Sequence, residues 1–451
     1  MKIPLKPPAI NELMYKLYHS KKEEGILEKL LSYSSITEQK EYIHWDKLRH
    51  LEQPKNWSAE EAWLAIKLAR SNLYKPLPFI DKHQQLFRLA TPDNVLQQLY
   101  TIDCYFGRTV QSTLSILNTD WRDTYLVSSL IEEAITSSQL EGASTTRKVA
   151  KAMLRSHRKP CNPSEQMIVN NYRAMQFIRE IKNETLTVEL LFELHRILTE
   201  KTLPEAECGA LCTNKDDIHV WDNRDETVLH IPPDATGLKI RVERICHFAN
   251  LVDNKSFIHP VIKAIILHFM LAYDHPFVDG NGRTARALFY WYLLKNDYWL
   301  IEFISISKVI KNAPAQYVKA FLYTETDDND TTYFITHQLD TILKAFKSLQ
   351  KYLEKQISEI KETERLLHSE NNLYQRLNYR QVALLKHALK HPNHYYSIEE
   401  HRSSHNVTYE TARSDLLKLS ELKLFQKEKL GKAFIFTASR DLKKKLEGYH
   451  P

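Results

Sequence analysis

Few folds are open to the stretch between Val261 and Lys295. Val261 to Tyr273 is apolar at helical spacing and holds no Gly or Pro, which predicts a buried helix ending near Asp274. Arg283 to Lys295 predicts a second helix. Between them, Asp279-Gly280-Asn281-Gly282 can take positive φ at its glycines. Successive backbone N–H groups then converge on an anion at the start of the second helix. The outline is helix, anion cradle, helix.

The side chains in and around that loop suit a phosphorylated ligand. Arg283 and Arg286 are three apart, on one helical face, and an arginine fork matches phosphate oxygens better than a lysine does. Asp279 offers the hard oxygen that Mg²⁺ bridging two phosphates asks of a protein. His275 stands at the loop entrance, where an imidazole of near-neutral pKa can take a proton from an attacking hydroxyl. No GxxxxGK[ST] or kinase-type glycine loop competes for a nucleotide.

The whole run, His275 to Arg286, resembles the signature of the Fic family, H-x-F-x-D/E-G-N-G-R-x-x-R, with every fixed position matched. The resemblance implies a mainly α fold, a Fic helical core with a small β-hairpin flap. It implies transfer of AMP from ATP to a Tyr, Ser or Thr hydroxyl of a target protein, with pyrophosphate released. On that basis His275 is the general base and Asp279 the Mg²⁺ ligand. Gly280, Asn281 and Gly282 form the phosphate cradle, and Arg283 and Arg286 hold the β- and γ-phosphates. Upstream, Ser137 to Gly142 resembles the family's inhibitory signature, S/T-x-x-x-E-G/N. It implies a Glu141–Arg286 ion pair that takes from the triphosphate the cation that orients it. Thr124 to Ser137 reads as helix and Gly142 as its stop, which puts Glu141 at a C-terminal end. The same glutamate can position a water that removes AMP, so the net direction of catalysis stays open.

Asp217 to Trp221 and Thr227 to Pro233 are β-type runs around a polar turn at Asp222 to Asp225. In the family such a flap registers an extended target segment by strand addition, here at 217–231. The family often has an arginine a few residues after the equivalent of Gly209; this chain has Cys212.

Only 9 glycines in 451 residues disfavour a β-rich fold with many tight turns, and long stretches rich in Leu, Lys, Glu and Ile favour helices. Four regions are expected: a helical extension over 1–120, the core with its inhibitory helix over 121–335, a helical linker over 336–375, and a separate module over 376–451. Leu339, Leu343, Phe346, Leu349, Leu353, Ile357 and Ile360 share one face of the linker. The last region reads as three helices, Arg380 to Lys390, Ser397 to Ser404 and Tyr409 to Glu421, the third entered through Asn406-Val407-Thr408. Two strands follow, from Leu424 to Thr437 around Gly431. That order resembles a winged helix-turn-helix. From 376 to 451 there are 15 Lys and Arg against 8 Asp and Glu, a net +7 where the whole chain is +6. Thr408, Tyr409, Thr411, Arg413 and Ser414, with Lys427, Lys429 and Lys432, are placed for groove and phosphate contacts with DNA.

Five scattered cysteines fit a reducing cytoplasm better than a disulfide framework. No apolar run approaches the roughly 18 residues that span a bilayer, so no membrane partner is expected. A homodimer is common among Fic relatives. Two function classes remain: an autoinhibited AMP transferase, and a DNA-binding transcriptional regulator whose Fic core senses nucleotide.

Overall fold

The apolar run after Pro260 becomes a core helix of its unit because almost every side chain on it is buried, all round its circumference. In the computed structural model the described residues are 2–19, 34–36, 41–53, 55, 57–106, 119–156, 158–222, 224–251, 257–368, 377–391, 394–405, 407–430 and 433–447. They divide into two compact units, 1–349 and 350–451.

The first unit opens with α1 (Ile10–His19) and α2 (Ala59–Ser71), then the hairpin β1 (Lys75–Ile80) and β2 (Leu86–Leu89), and α3 (Asp93–Cys104). Next come α4 (Thr119–Leu140), α5 (Arg147–Ser156), α6 (Pro163–Glu180) and α7 (Val188–Thr199). A second hairpin, β3 (Val220–Asp222) and β4 (Thr227–His230), precedes α8 (Leu238–Asn250). The helix α9 (Pro260–Asp274) and its partner α10 (Asn281–Lys295) pack on each other, joined by the glycine loop. The series ends with α11 (Ile306–Asn312), α12 (Pro314–Thr326) and α13 (Thr332–His368). This last helix runs from the first unit into the second.

In this unit two elements differ from the sequence expectation. The first hundred residues, expected as helical, contain the β1–β2 hairpin. Pro76 and Pro78 bar a helix there, and alternation buries Leu77 and Phe79 on one face. The flap's first strand starts at Val220 rather than Asp217, because Asn214–Asp216 forms a 3-10 turn and Asp217 turns left-handed at φ 46°. Asp222 joins that strand instead of the turn, with its carboxylate gripped by Arg224.

Buried ion pairs and hydrogen bonds tie the N-terminal segment to the loop before α13 and to that helix's first turn. Lys67 Nζ reaches Asp327 at 2.8 Å with both side chains buried, and Arg70 donates to the Tyr333 hydroxyl. Tyr42 donates to Asp330 at 2.6 Å. Each buried charge has a partner, the condition under which burial is tolerated.

The second unit contains α14 (Tyr379–Lys390), β5 (Tyr395–Ser397), α15 (Ile398–His405), α16 (Tyr409–Glu421), β6 (Phe425–Leu430), β7 (Ala433–Ala438) and α17 (Leu442–Glu447). Its sheet has the order β5-β7-β6. Strand β5 was not anticipated; at three residues it shows no periodicity of its own and exists through pairing with β7. Leu385, Leu416, Leu419, Leu424 and Phe436 form the core. Gly431, Lys432 and Asn406, named above for the turn, the wing and the approach to the third helix, lie outside the described residues. Among the described residues no helix is long and apolar enough to cross a membrane.

Candidate active site

The loop between α9 and α10 is tied down almost residue by residue. His275 caps α9 in the left-handed region at φ 47°, with its N–H on the Leu271 carbonyl. Pro276 O accepts from Cys212 N at 2.9 Å, which anchors the flap's approach to the loop. Asn281 faces back across the loop: its Oδ1 accepts from Phe277 N (3.0 Å) and its Nδ2 donates to Phe277 O (2.7 Å). The side chain of Asn281 is therefore spent on the loop, and its backbone N–H is what it can offer a phosphate. Gly280 takes φ +84°, and a Cβ there would meet Thr199 Cγ2 at 2.9 Å. Gly282 does not take the positive φ expected of it; it is helical, and a Cβ there would lie 2.2 Å from Glu141 Oε1, so the carboxylate end rests directly against it.

The His275 ring is oriented for base chemistry. Its Nδ1–H donates to the Ala272 carbonyl at 3.2 Å, so Nε2 carries the lone pair. Burial pushes the imidazole below its ordinary pKa, only partly offset by that hydrogen bond. In the role of base expected for His275 the neutral form is the active one, and it is lost as pH falls through this lowered value. Transfer by a Glu141→Gly variant should accordingly hold steady through neutrality and decline only below about 6.5, the unperturbed value. A pH profile of kcat/KM checks this; an acid limb centred above 7 would contradict it.

Asp279 is half-exposed. Its Oδ1 accepts from Gly280 N at 2.6 Å and its Oδ2 from Arg283 Nη2 at 2.9 Å, which leaves further lone pairs facing outward. A single carboxylate of this kind fits Mg²⁺, which keeps waters and takes its other oxygens from phosphates. Among the described residues no group of three or more His, Cys, Asp or Glu could make an all-protein metal site.

The two arginines stand in different surroundings. Arg283 is buried, with Nη1 on the Leu198 carbonyl (3.0 Å) and Nη2 on Asp279. Arg286 donates Nε to Ser137 Oγ (2.8 Å), and its Nη2 reaches both Ser137 O (3.1 Å) and Glu141 Oε1 (2.7 Å). Glu141 is delivered there by the way α4 ends. Gly142 turns left-handed at φ +94°, Ala143 N bonds Ser138 O and Gly142 N bonds Gln139 O, a Schellman ending that leaves Glu141 at the cap. The carboxylate lies over the first turn of α10, the seat that an anion favours.

Some residues that build the site were not legible beforehand. His195 is fully buried on α7: its Nδ1 accepts from Gly209 N (2.9 Å), its Nε2–H donates to Asp279 O (2.8 Å), and its ring stacks on Phe277 at 3.8 Å. Burial lowers its pKa to about 4, so it stays neutral. The signal was a lone histidine on the apolar stripe of Leu191, Leu194 and Leu198. Thr284 Oγ1 likewise donates to Gly280 O. On the flap side, His230 bridges Glu325 and the Tyr273 carbonyl, both at 2.8 Å.

The helical pair thus brings together a glycine-bounded loop, an imidazole whose Nδ1–H is engaged, and an arginine paired with a carboxylate. Residues 185–293 match the family model described as Fic/DOC family. Protein adenylyltransferase Fic of Drosophila virilis is 33% identical over 127 residues, 28% of this chain and 24% of that protein. The Drosophila mojavensis protein of the same name is 34% identical over 127 residues, 28% of this chain and 23% of its own length. The match thus spans about a quarter of these relatives. Among solved structures, a Fic family protein from Desulfovibrio desulfuricans G20 has a TM-score of 0.49 and 16% identity, over 77% of this chain and 95% of that one.

Proposed function

We propose that the chain is a protein adenylyltransferase restrained by its own Glu141, transferring AMP from ATP to a Tyr, Ser or Thr hydroxyl of a target protein. The observation that carries the reading is His275, with Nδ1–H engaged and Nε2 open beside an anion seat. A phosphate sensor has no use for such a base. In the reaction the target oxygen attacks the α-phosphorus, and its proton passes to His275 Nε2. The bond between the α- and β-phosphates breaks, and pyrophosphate leaves. The N–H groups of Asn281 and Gly282 at the α10 N-terminus take the phosphate charge, while the Gly280 N–H holds Asp279 in place. Arg286, once free of Glu141, holds the γ-phosphate, while Arg283 braces Asp279. Mg²⁺ on Asp279 would neutralise phosphate charge.

The target docks at the 217–231 flap, whose two short strands leave an edge for an added strand, with Trp221 half-exposed on β3. In the reverse direction Glu141 positions a water that removes AMP. The 376–451 region is proposed to localise the enzyme on DNA as a winged helix: Thr408, Tyr409, Arg413 and Ser414 are exposed on or at the head of α16, and Lys427 and Lys429 on β6. A homodimer and a cytoplasmic setting, which suits five free cysteines, complete the proposal.

The test incubates the Glu141→Gly protein with Mg²⁺ and ATP labelled on the α-phosphate, alone and with a cell lysate. Label on a hydroxyl side chain with the mass of AMP supports the reading. Transfer of γ-label instead, or no label despite nucleotide binding, would sink it.

A further inference from the structure

The inhibitory helix and the second motif helix meet as a regular antiparallel ladder. On α4, Glu133, Ser137 and Glu141 are spaced by four, so they share one face; on α10, Gly282, Arg286 and Tyr290 do the same. The contacts pair them in reverse order. Tyr290 OH donates to Glu133 Oε2 at 3.0 Å, Arg286 Nε donates to Ser137 Oγ at 2.8 Å, and Glu141 Oε1 sits against Gly282 while pairing with Arg286. The first rung is the only one of the three that touches neither the motif arginine nor the anion seat. It lies eight residues from Glu141, about 12 Å along the helix.

That rung is also the most heavily fastened. Glu133 is 2% exposed, and four donors reach its two oxygens: Tyr290 OH, Ser305 Oγ at 2.7 Å, Ser307 N at 3.2 Å and Ser307 Oγ. Ser307 is fully buried, and Ser305 also contacts Thr136 Oγ1 at 3.2 Å. Tyr290 OH in turn accepts from Ile306 N. The node thus joins α4, α10 and the start of α11. A buried carboxylate with this many donors cannot slide by one turn without leaving several of them unpaired.

We propose that Glu133 is a positioning residue for autoinhibition: with Tyr290, Ser305 and Ser307 it fixes the register of α4 against α10, and so sets Glu141 on Arg286. The inference rests on the proposed function, since it concerns the restraint on that same site. Its consequence is a gain. Weakening the node lets the end of α4 drift from the anion seat, and transfer increases although the altered side chain is two turns away.

The experiment uses the full chain and compares wild type, Glu133→Gln, the pair Ser305→Ala/Ser307→Ala, Glu141→Gly, and Glu133→Gln combined with Glu141→Gly. AMP transfer and hydrogen exchange over 137–142 are both measured. Expected are a rise of about threefold to tenfold in transfer for each node variant, no further rise when Glu133→Gln is added to Glu141→Gly, and faster exchange confined to 137–142. A fold defect alone would lower transfer in both backgrounds and speed exchange across α9 and α10 as well. Should Glu133→Gln fail to fold, the serine pair carries the test. Node variants at or below wild type, beside an active Glu141→Gly protein, overturn the inference and leave the functional reading intact. If Glu141→Gly itself transfers nothing, the functional reading fails, and exchange alone judges the node: unchanged exchange over 137–142 overturns it, faster exchange there supports it.

Discussion

Replacing His275 with Ala in a Glu141→Gly background should lower AMP transfer by about 10²- to 10⁴-fold, the usual contribution of a positioned general base, with ATP affinity little changed. The reason is geometric. On the proposed function the imidazole serves as base rather than phosphate ligand: its Nδ1–H is engaged by Ala272 O, which leaves Nε2 to take the proton. The loop after it is held by contacts that do not use the His275 ring: Cys212 N on Pro276 O, Asn281 on both polar atoms of Phe277, and His195 on Asp279 O. Removing the ring should leave the anion seat standing. Quantified label transfer, alongside ATP titration by calorimetry, checks both halves. A loss below tenfold would assign proton removal elsewhere, and a parallel loss of ATP binding would make His275 a structural cap.

The core of this site could be read from the sequence because its information is local. Helix α9, the glycine loop and α10 follow from apolar spacing and from residues within a dozen positions of each other, and the α4 ending follows from Gly142. The Glu141–Arg286 pair, 145 positions apart, was accessible only through the resemblance of two short motifs. What stayed hidden depends on tertiary neighbours. Arg283 reads as a phosphate fork but is enclosed by Leu198 and Asp279. Asn281 reads as a cradle side chain but closes the loop on Phe277. Gly282 looks like a positive-φ residue, yet it is helical and lies directly under the Glu141 carboxylate that arrives from another helix. Pro76 and Pro78 did carry the signal for the first hairpin, and the surrounding helical composition masked it.

Substituting Glu141 with Gly should raise transfer by about 10- to 100-fold over wild type, on the scale of one lost charge-assisted hydrogen bond of about 1.5–3 kcal/mol. Two separate obstacles disappear together. One is the pairing of Arg286 Nη2 with Glu141 Oε1 at 2.7 Å, which on the proposed function would hold the guanidinium away from a γ-phosphate. The other is occupancy: the carboxylate lies over Gly282, where a phosphate oxygen would otherwise meet the α10 N-terminus. Glycine at this position also suits the cap, because the Schellman bonds are made by Ala143 and Gly142 and do not involve the Glu141 side chain. Glu141→Gln separates the obstacles. It keeps the bulk over Gly282 and one oxygen for Arg286 while removing the charge, so its transfer should fall between wild type and Glu141→Gly. Label incorporation per minute at saturating ATP measures the order. If glutamine matches glycine, charge alone restrains the enzyme; if wild type already equals glycine, Glu141 does not restrain it, and the ion pair is a packing contact between two helices.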